Sequence, residues 1–423
     1  MKTRHVSLPY GDTEVGVDIP EENIIGVYSP EEVPPVSDIR REVRRALENP
    51  IGSGRLDELA RGKKRVVIVA DDNTRLTPTD LILPPVLDAL NAAGVPDSAV
   101  TLIIALGTHR FMTDEEILKK FGPEVVRRIT IRNHPFRDLD SLVDLGTTEN
   151  GTKIMINREV CEADFVIGVG SIVPHHIPGF AGGSKIIQPG VSGEDTTAET
   201  HLLSVRAPRS YLGVLENPVR RELDSIARKV GLNIIFNTVL NRYGEVVEAF
   251  FGDVEAAFRK GVERSKKVFS VNIPQAADIV VSSSHPCDIE FWQAHKTLYP
   301  SDLAVKEKGI IIIVTPCYEG VAMTHDDILE VTGESSGRLR EMVERGEVRD
   351  KVAAALAIAW AQVKERETVF IVSHGIDKET ADKLGFIHFS SVQEALDEAL
   401  RRKGSTAGIT VLTHAADMLP VLD

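Results

Sequence analysis

Short aliphatic runs alternate along the chain with segments whose apolar positions recur at helical spacing. RVVIVAD (65–71) reads as a buried strand and TDLILPPVLDALNAAG (79–94) as the helix after it, ended by glycine. Pro84 and Pro85 fall inside that helix. Proline lacks an amide hydrogen and crowds the preceding turn, so the first turns are expected to be kinked or separate. AVTLIIAL (99–106), DFVIGVG (164–170) and NIIFNTVL (233–240) are the next strands. The helix EAAFRKGVERSKKVF (255–269) then gives way to SVNIPQAA. After that break the alternation restarts with DIVVSSS (278–284), GIIIIVTP (309–316), TVFIVSHG (368–375) and GITVLTH (408–414). Helical stretches such as DKVAAALAIAWAQVK (350–364) lie between these strands. Runs continuous in Val and Ile mark strands covered on both faces, hence largely parallel sheets flanked by helices. The pattern predicts two α/β domains, residues 1–271 and 272–423.

Composition narrows the function. The 423 residues carry a formal net charge of −14, which opposes binding to a phosphate backbone, and only 5% are aromatic, which opposes a base-stacking platform. Nucleic acid is therefore not an expected partner. Cys161, Cys287 and Cys317 are odd in number and far apart, so they build neither a disulfide framework nor a four-cysteine zinc site. The first twenty residues lack the apolar stretch of a signal peptide, and the aliphatic run 310–314 is too short to span a bilayer. A cytoplasmic protein without membrane contact is expected.

In open α/β sheets, ligands bind beyond the carboxyl ends of the strands. Here the first such strand runs into DDNTRLTPTD, bringing Asp71, Asp72 and Arg75 to the loop, and the second into GTHR, bringing His109. The strand 164–170 runs into SIVPHHIPGFAGGSKIIQPGVSG, which holds His175, His176, Gly182, Gly183 and Lys185, with His201 sixteen residues after the lysine. Taken singly, each has a structural reading. The acidic cluster suits a helix N-terminus, with Thr77 or Thr79 as cap, and a lone histidine after a strand is commonly structural. Their convergence on one sheet edge is what points to a site. A lysine beside paired glycines suits anion binding or a nucleophilic amine. GFAGGSKI is not a P-loop, since Ser184 stands before the lysine and Ile186 after it. Nor do His175, His176 and His201 form a zinc-binding HExxH helix. In the second half, Gln293 and Lys296 are three residues apart, one face of a helix, where an amide and an ammonium make a clamp for a small carboxylate or a solvated surface.

The ordered set DDNTR (71–75), GTHR (107–110), PHHIPGFAGGSKIIQPG (174–190), His201 and QAHK (293–296) resembles the nickel-pincer lactate racemase family of 2-hydroxyacid racemases and epimerases. The resemblance spans about half the chain. It implies that Lys185 holds a pyridinium-3-thioamide-5-thiocarboxylic acid mononucleotide carrying nickel, with His201 as the protein ligand to the metal. It makes His109 and His175 the acid/base pair and Arg75 the group that polarises the reacting oxygen. Asp72, Gly182 and Gly183 would help seat the cofactor, while Gln293 and Lys296, with Arg75, would bind the substrate carboxylate. The implied activity is racemisation or epimerisation of a 2-hydroxyacid, a lactate-like monocarboxylate first, in a cleft between the domains, with separate proteins maturing the cofactor. Two other classes stay open: a nucleotide- or carboxylate-binding protein without catalysis, and a metal-dependent hydrolase built on His175, His176 and His201.

Overall fold

The computed structural model describes residues 2–423. All eight expected strands form, and they fall into two six-stranded sheets. The first runs, in spatial order, Val246–Gly252, Ile234–Leu240, Phe165–Ser171, Val66–Asp71, Val100–Ala105 and Thr130–Asn133. It is parallel except for the edge strand Val246–Gly252. The second runs Ile387–Phe389, Thr368–Val372, Val305–Val314, Ala277–Ser283, Ile409–Leu412 and Ile24–Tyr28, all parallel. Val66–Asp71 and Ile234–Leu240 are buried along their whole length, as strands covered on both faces must be. The helix Lys351–Lys364 of the second half is buried almost all round and packs against the helix Glu194–Ser204 of the first, tying the two halves together.

Three expectations change. The helix Thr79–Ala92 is continuous through Pro84 and Pro85; both prolines are buried, so packing offsets the two backbone bonds they cannot make. Neither Thr77 nor Thr79 caps it: Thr77 Oγ1 donates to Asp71 Oδ2 at 2.6 Å and Thr79 Oγ1 to the Lys120 carbonyl at 2.7 Å. The division at residue 271 also fails at its start. Ile24–Tyr28 is the edge strand of the second sheet, and the hairpin Thr3–Tyr10/Thr13–Pro20 buries Val6, Leu8, Val17 and Ile19 in that sheet's core. The physical reason is that Ile409–Leu412 would otherwise present a bare edge. At the crossing itself, Ser270–Ile273 pairs in parallel with Leu419–Leu422, so the end of the chain returns to the junction.

Candidate active site

The first sheet delivers its loops to one edge, and each loop is locked locally. Asp72 is buried, and its Oδ1 takes the Thr74 amide at 3.1 Å and the Thr74 hydroxyl at 2.5 Å. Its Oδ2 is left for His109 Nδ1, 2.6 Å away. A carboxylate oxygen only accepts, so Nδ1 carries the hydrogen and Nε2 keeps its lone pair. That lone pair takes the Gln293 side-chain amide at 2.9 Å. Gln293 Oε1 in turn accepts from Lys296 Nζ at 2.5 Å and Arg75 at 3.4 Å. Burial acts to raise the Asp72 carboxyl, but His109, Arg75 and Thr74 outweigh it and hold the group well below the carboxylate range. Burial pushes His109 below 6.5 despite the opposing pull of Asp72, so its imidazole is neutral. Burial and Arg75 bring the Lys296 ammonium down to about 8.

His175 faces different surroundings. Its Nδ1 accepts the Ile177 amide at 3.2 Å, which leaves the proton on Nε2. Burial, then Lys185 and His176, keep it well below the ordinary imidazole value. His176 stacks on His175 with centroids 4.6 Å apart and on Tyr299 at 4.2 Å, with His295 edge-on at 4.9 Å. His176 is thus part of an aromatic wall.

The lysine loop is held by the sheet beneath it. Gly182 has φ +84° and Gly183 φ +59°, a region that side chains rarely adopt. A Cβ on Gly182 would lie 2.6 Å from Ile172 and 3.1 Å from Asn237 Oδ1, which instead accepts the Gly183 amide at 2.9 Å. Buried Arg220 ties down the Phe180 and Gly182 carbonyls. Lys185, on the short turn Gly183–Ile186, is pushed well below 10.5 by burial and then by Arg75, Lys296 and Arg220. His201 donates Nδ1–H to the Thr197 carbonyl at 2.8 Å, one helical turn back, which leaves Nε2 unprotonated. Burial and Lys185 take His201 down to about 3.

Asp72, Arg75, His109, His175, Gly182, Lys185, His201, Gln293 and Lys296 all line one cleft of about 1030 Å³, counting its mouth. Gly183 lies behind the wall. Trp292, Gln293, His295, Lys296 and Leu356 come from the second half of the chain and the rest from the first. Sequence reasoning missed Asn237, Thr197 and Arg220, which shape the site, and the pair His295–Tyr299. Asn237 alone left a signal, an amide near the end of an otherwise apolar strand. Among the described residues, the carboxylate and imidazole groups close enough to share an ion are Glu194, His325 and Asp350, not the three histidines His175, His176 and His201. Glu194 is engaged by Arg137 at 2.7 Å and His325 by Asp350 at 2.5 Å, so each of these groups already has a partner. No helix among the described residues is long and apolar enough to cross a membrane.

A largely parallel two-sheet α/β scaffold that gathers buried histidines, a buried lysine and the Gln293–Lys296 pair in one cleft has the layout of an enzyme acting on a small molecule. Comparison with known proteins makes that class specific. The model of the lactate racemase N-terminal domain matches residues 10–213 and that of the C-terminal domain residues 273–419. The chain belongs to the lactate racemase family, a family of isomerases. It is 35% identical to the lactate racemase of Thermoanaerobacterium thermosaccharolyticum over 75% of both chains. To that of Lactiplantibacillus plantarum it is 29% identical over 96% of this chain and 97% of the relative. The lactate racemase apoprotein structure from T. thermosaccharolyticum superposes with a TM-score of 0.88 at 30% identity, covering 99% and 100% of the two chains. A Thermotoga maritima structure shares the fold, with a TM-score of 0.70 at 20% identity over 91% and 97%.

Proposed function

We propose that this protein interconverts the stereoisomers of a lactate-like 2-hydroxyacid, by proton-coupled hydride transfer with a nickel-pincer nucleotide held on Lys185. The observation that carries this reading is the meeting of both candidate bases, the carboxylate clamp, Lys185 and His201 in one cleft. The residues fit the cofactor. Burial lowers the Lys185 amine well below its ordinary value and so favours the unprotonated form that an acyl-type linkage requires, and His201 offers a lone pair on Nε2 with its other nitrogen fixed by a carbonyl, the usual arrangement of a metal-ligating imidazole. Imidazole suits divalent nickel. Gly182 and Gly183 let the backbone turn tightly beside it.

When bound, the pincer supplies a reversible acceptor for the hydride at C2. The protein's own groups do the rest. Lys296, Gln293 and Arg75 fix the substrate carboxylate and oxygen, and Arg75 stabilises charge that develops on that oxygen. His109 Nε2, kept basic by the Asp72 contact on Nδ1, takes the hydroxyl proton after the Gln293 amide gives way to substrate. His175 would serve the opposite enantiomer in its other tautomer: with the proton moved to Nδ1 and the Ile177 amide contact released, Nε2 is free to accept the hydroxyl proton. Loss of a bare α-proton beside a carboxylate is thereby avoided.

The test is full-length protein co-produced with pincer-maturation proteins, then peptide mass spectrometry across Lys185 with nickel analysis and polarimetry on 2-hydroxyacids. An adduct on Lys185, nickel, and loss of optical activity support the reading. Unmodified Lys185 without nickel, where a known family member is loaded, refutes it.

A further inference from the structure

A second chamber adjoins the cleft. Arg75, His175 and Lys296 line both spaces, so this chamber begins at the groups that would hold the substrate's carboxylate and oxygen. It has about 570 Å³ of empty volume, counting its openings, and its further walls are largely apolar, with Leu240, Phe269 and Ala416 among them. We infer that this chamber is the subsite for the substrate's side chain, and that it selects an uncharged aliphatic chain several carbons long over both a methyl group and a second carboxylate. The inference rests on the function proposed above and adds the substrate class.

Size and charge both support it. A methyl group leaves the apolar walls without partner atoms, whereas a branched four-carbon chain gains dispersion contacts and sheds apolar surface from water. Asp417 is the one acidic residue lining the chamber. It ends the turn Ala415–Asp417, which packs against the turn His295–Thr297 carrying Lys296, so its position relative to the clamp is fixed. The cations at the shared wall, Lys296 and Arg75, are the groups that would already hold the substrate's own carboxylate and oxygen. A distal carboxylate would thus meet Asp417 and find no free cation.

The experiment uses nickel-loaded, full-length protein with lactate, 2-hydroxy-4-methylpentanoate and malate. The expected kcat/KM for 2-hydroxy-4-methylpentanoate exceeds that for lactate by about 10-fold or more, the scale of a few buried methylenes in an apolar pocket. Ala416→Phe, which fills the chamber, should cut that ratio by about 10-fold or more. Asp417→Asn should raise malate turnover relative to lactate, and covers the case in which the larger side chain prevents folding. Calorimetric affinities of the nickel-free protein for the three acids should follow the same order, independent of turnover. Lactate used as well as or better than the branched acid, with ratios unmoved by either variant, overturns the subsite and leaves the proposed function standing. Fully loaded protein that converts none of the acids overturns the proposed function itself, and the subsite with it.

Discussion

Asp72 divides its two oxygens between Thr74 and His109, and that division gives His109 its proton on Nδ1. Two groups then bound the pH range for productive binding. His109 must be neutral to accept a proton, and its pKa lies below 6.5; Lys296 must be charged to hold a carboxylate, and loses its proton as pH rises through about 8. The kcat/KM profile of the loaded enzyme should therefore be a bell with an acid limb below pH 6.5 and a basic limb near pH 8. Asp72→Asn removes a charge that raises the His109 pKa, so the acid limb should move to lower pH while kcat falls about 100-fold or more. An acid limb that stays or rises would show that His109 is not the titrating base. His201→Ala should leave folding intact and abolish nickel retention, read by metal analysis. At this scale the residue types were legible, because charged and imidazole side chains directly follow apolar strands. The protonation pattern was not, since it depends on Thr197, Thr74 and Gln293, which reach their partners only in the folded chain.

The strands themselves were readable, since an unbroken Val/Ile run has few other stable uses. The 174–190 loop was readable as chemistry but not as shape. Its conformation is set from outside: Pro174–His175 pairs with Gly179–Phe180, Arg220 holds two of its carbonyls, and Asn237 takes the Gly183 amide. Gly190 shows how closely this loop meets the histidine loop. Its carbonyl accepts the Gly107 amide at 3.0 Å, and a Cβ there would lie 2.0 Å from the Ile186 carbonyl oxygen. Gly190→Ala should therefore destabilise the protein by about 1–3 kcal/mol through forced backbone movement. It should also lower kcat through His109, on the far side of that bond. Thermal unfolding and kinetics would check both; a normal kcat in a destabilised protein would separate the loops functionally.

Across the whole molecule, the two halves meet through a segment with no periodicity to read. Residues 317–324 lie along the segment that carries Gln293: the Phe291 amide donates to Gly320 at 2.9 Å, Trp292 to Val321 at 2.8 Å, and Met323 to the Glu290 carboxylate at 3.0 Å. The same stretch grips both neighbours of His109. Thr324 Oγ1 donates to the Thr108 carbonyl at 2.7 Å, and Glu319 accepts from Arg110 at 2.9 and 3.2 Å. The clamp and the base therefore share one support, although 184 residues separate His109 from Gln293 in sequence. A part-exposed ion pair such as Arg110–Glu319 adds at most about 1 kcal/mol to stability, so its removal should barely alter unfolding. Its effect on geometry should be larger, because small displacements of reacting groups cost rate steeply. The double variant Glu319→Ala/Thr324→Val should keep its melting temperature and nickel content while losing about 10-fold or more in kcat, with KM changed less. Equal losses in kcat and melting temperature would reduce the segment to ordinary scaffold. Loss in kcat alone would show that the second half of the chain sets the position of a base carried by the first.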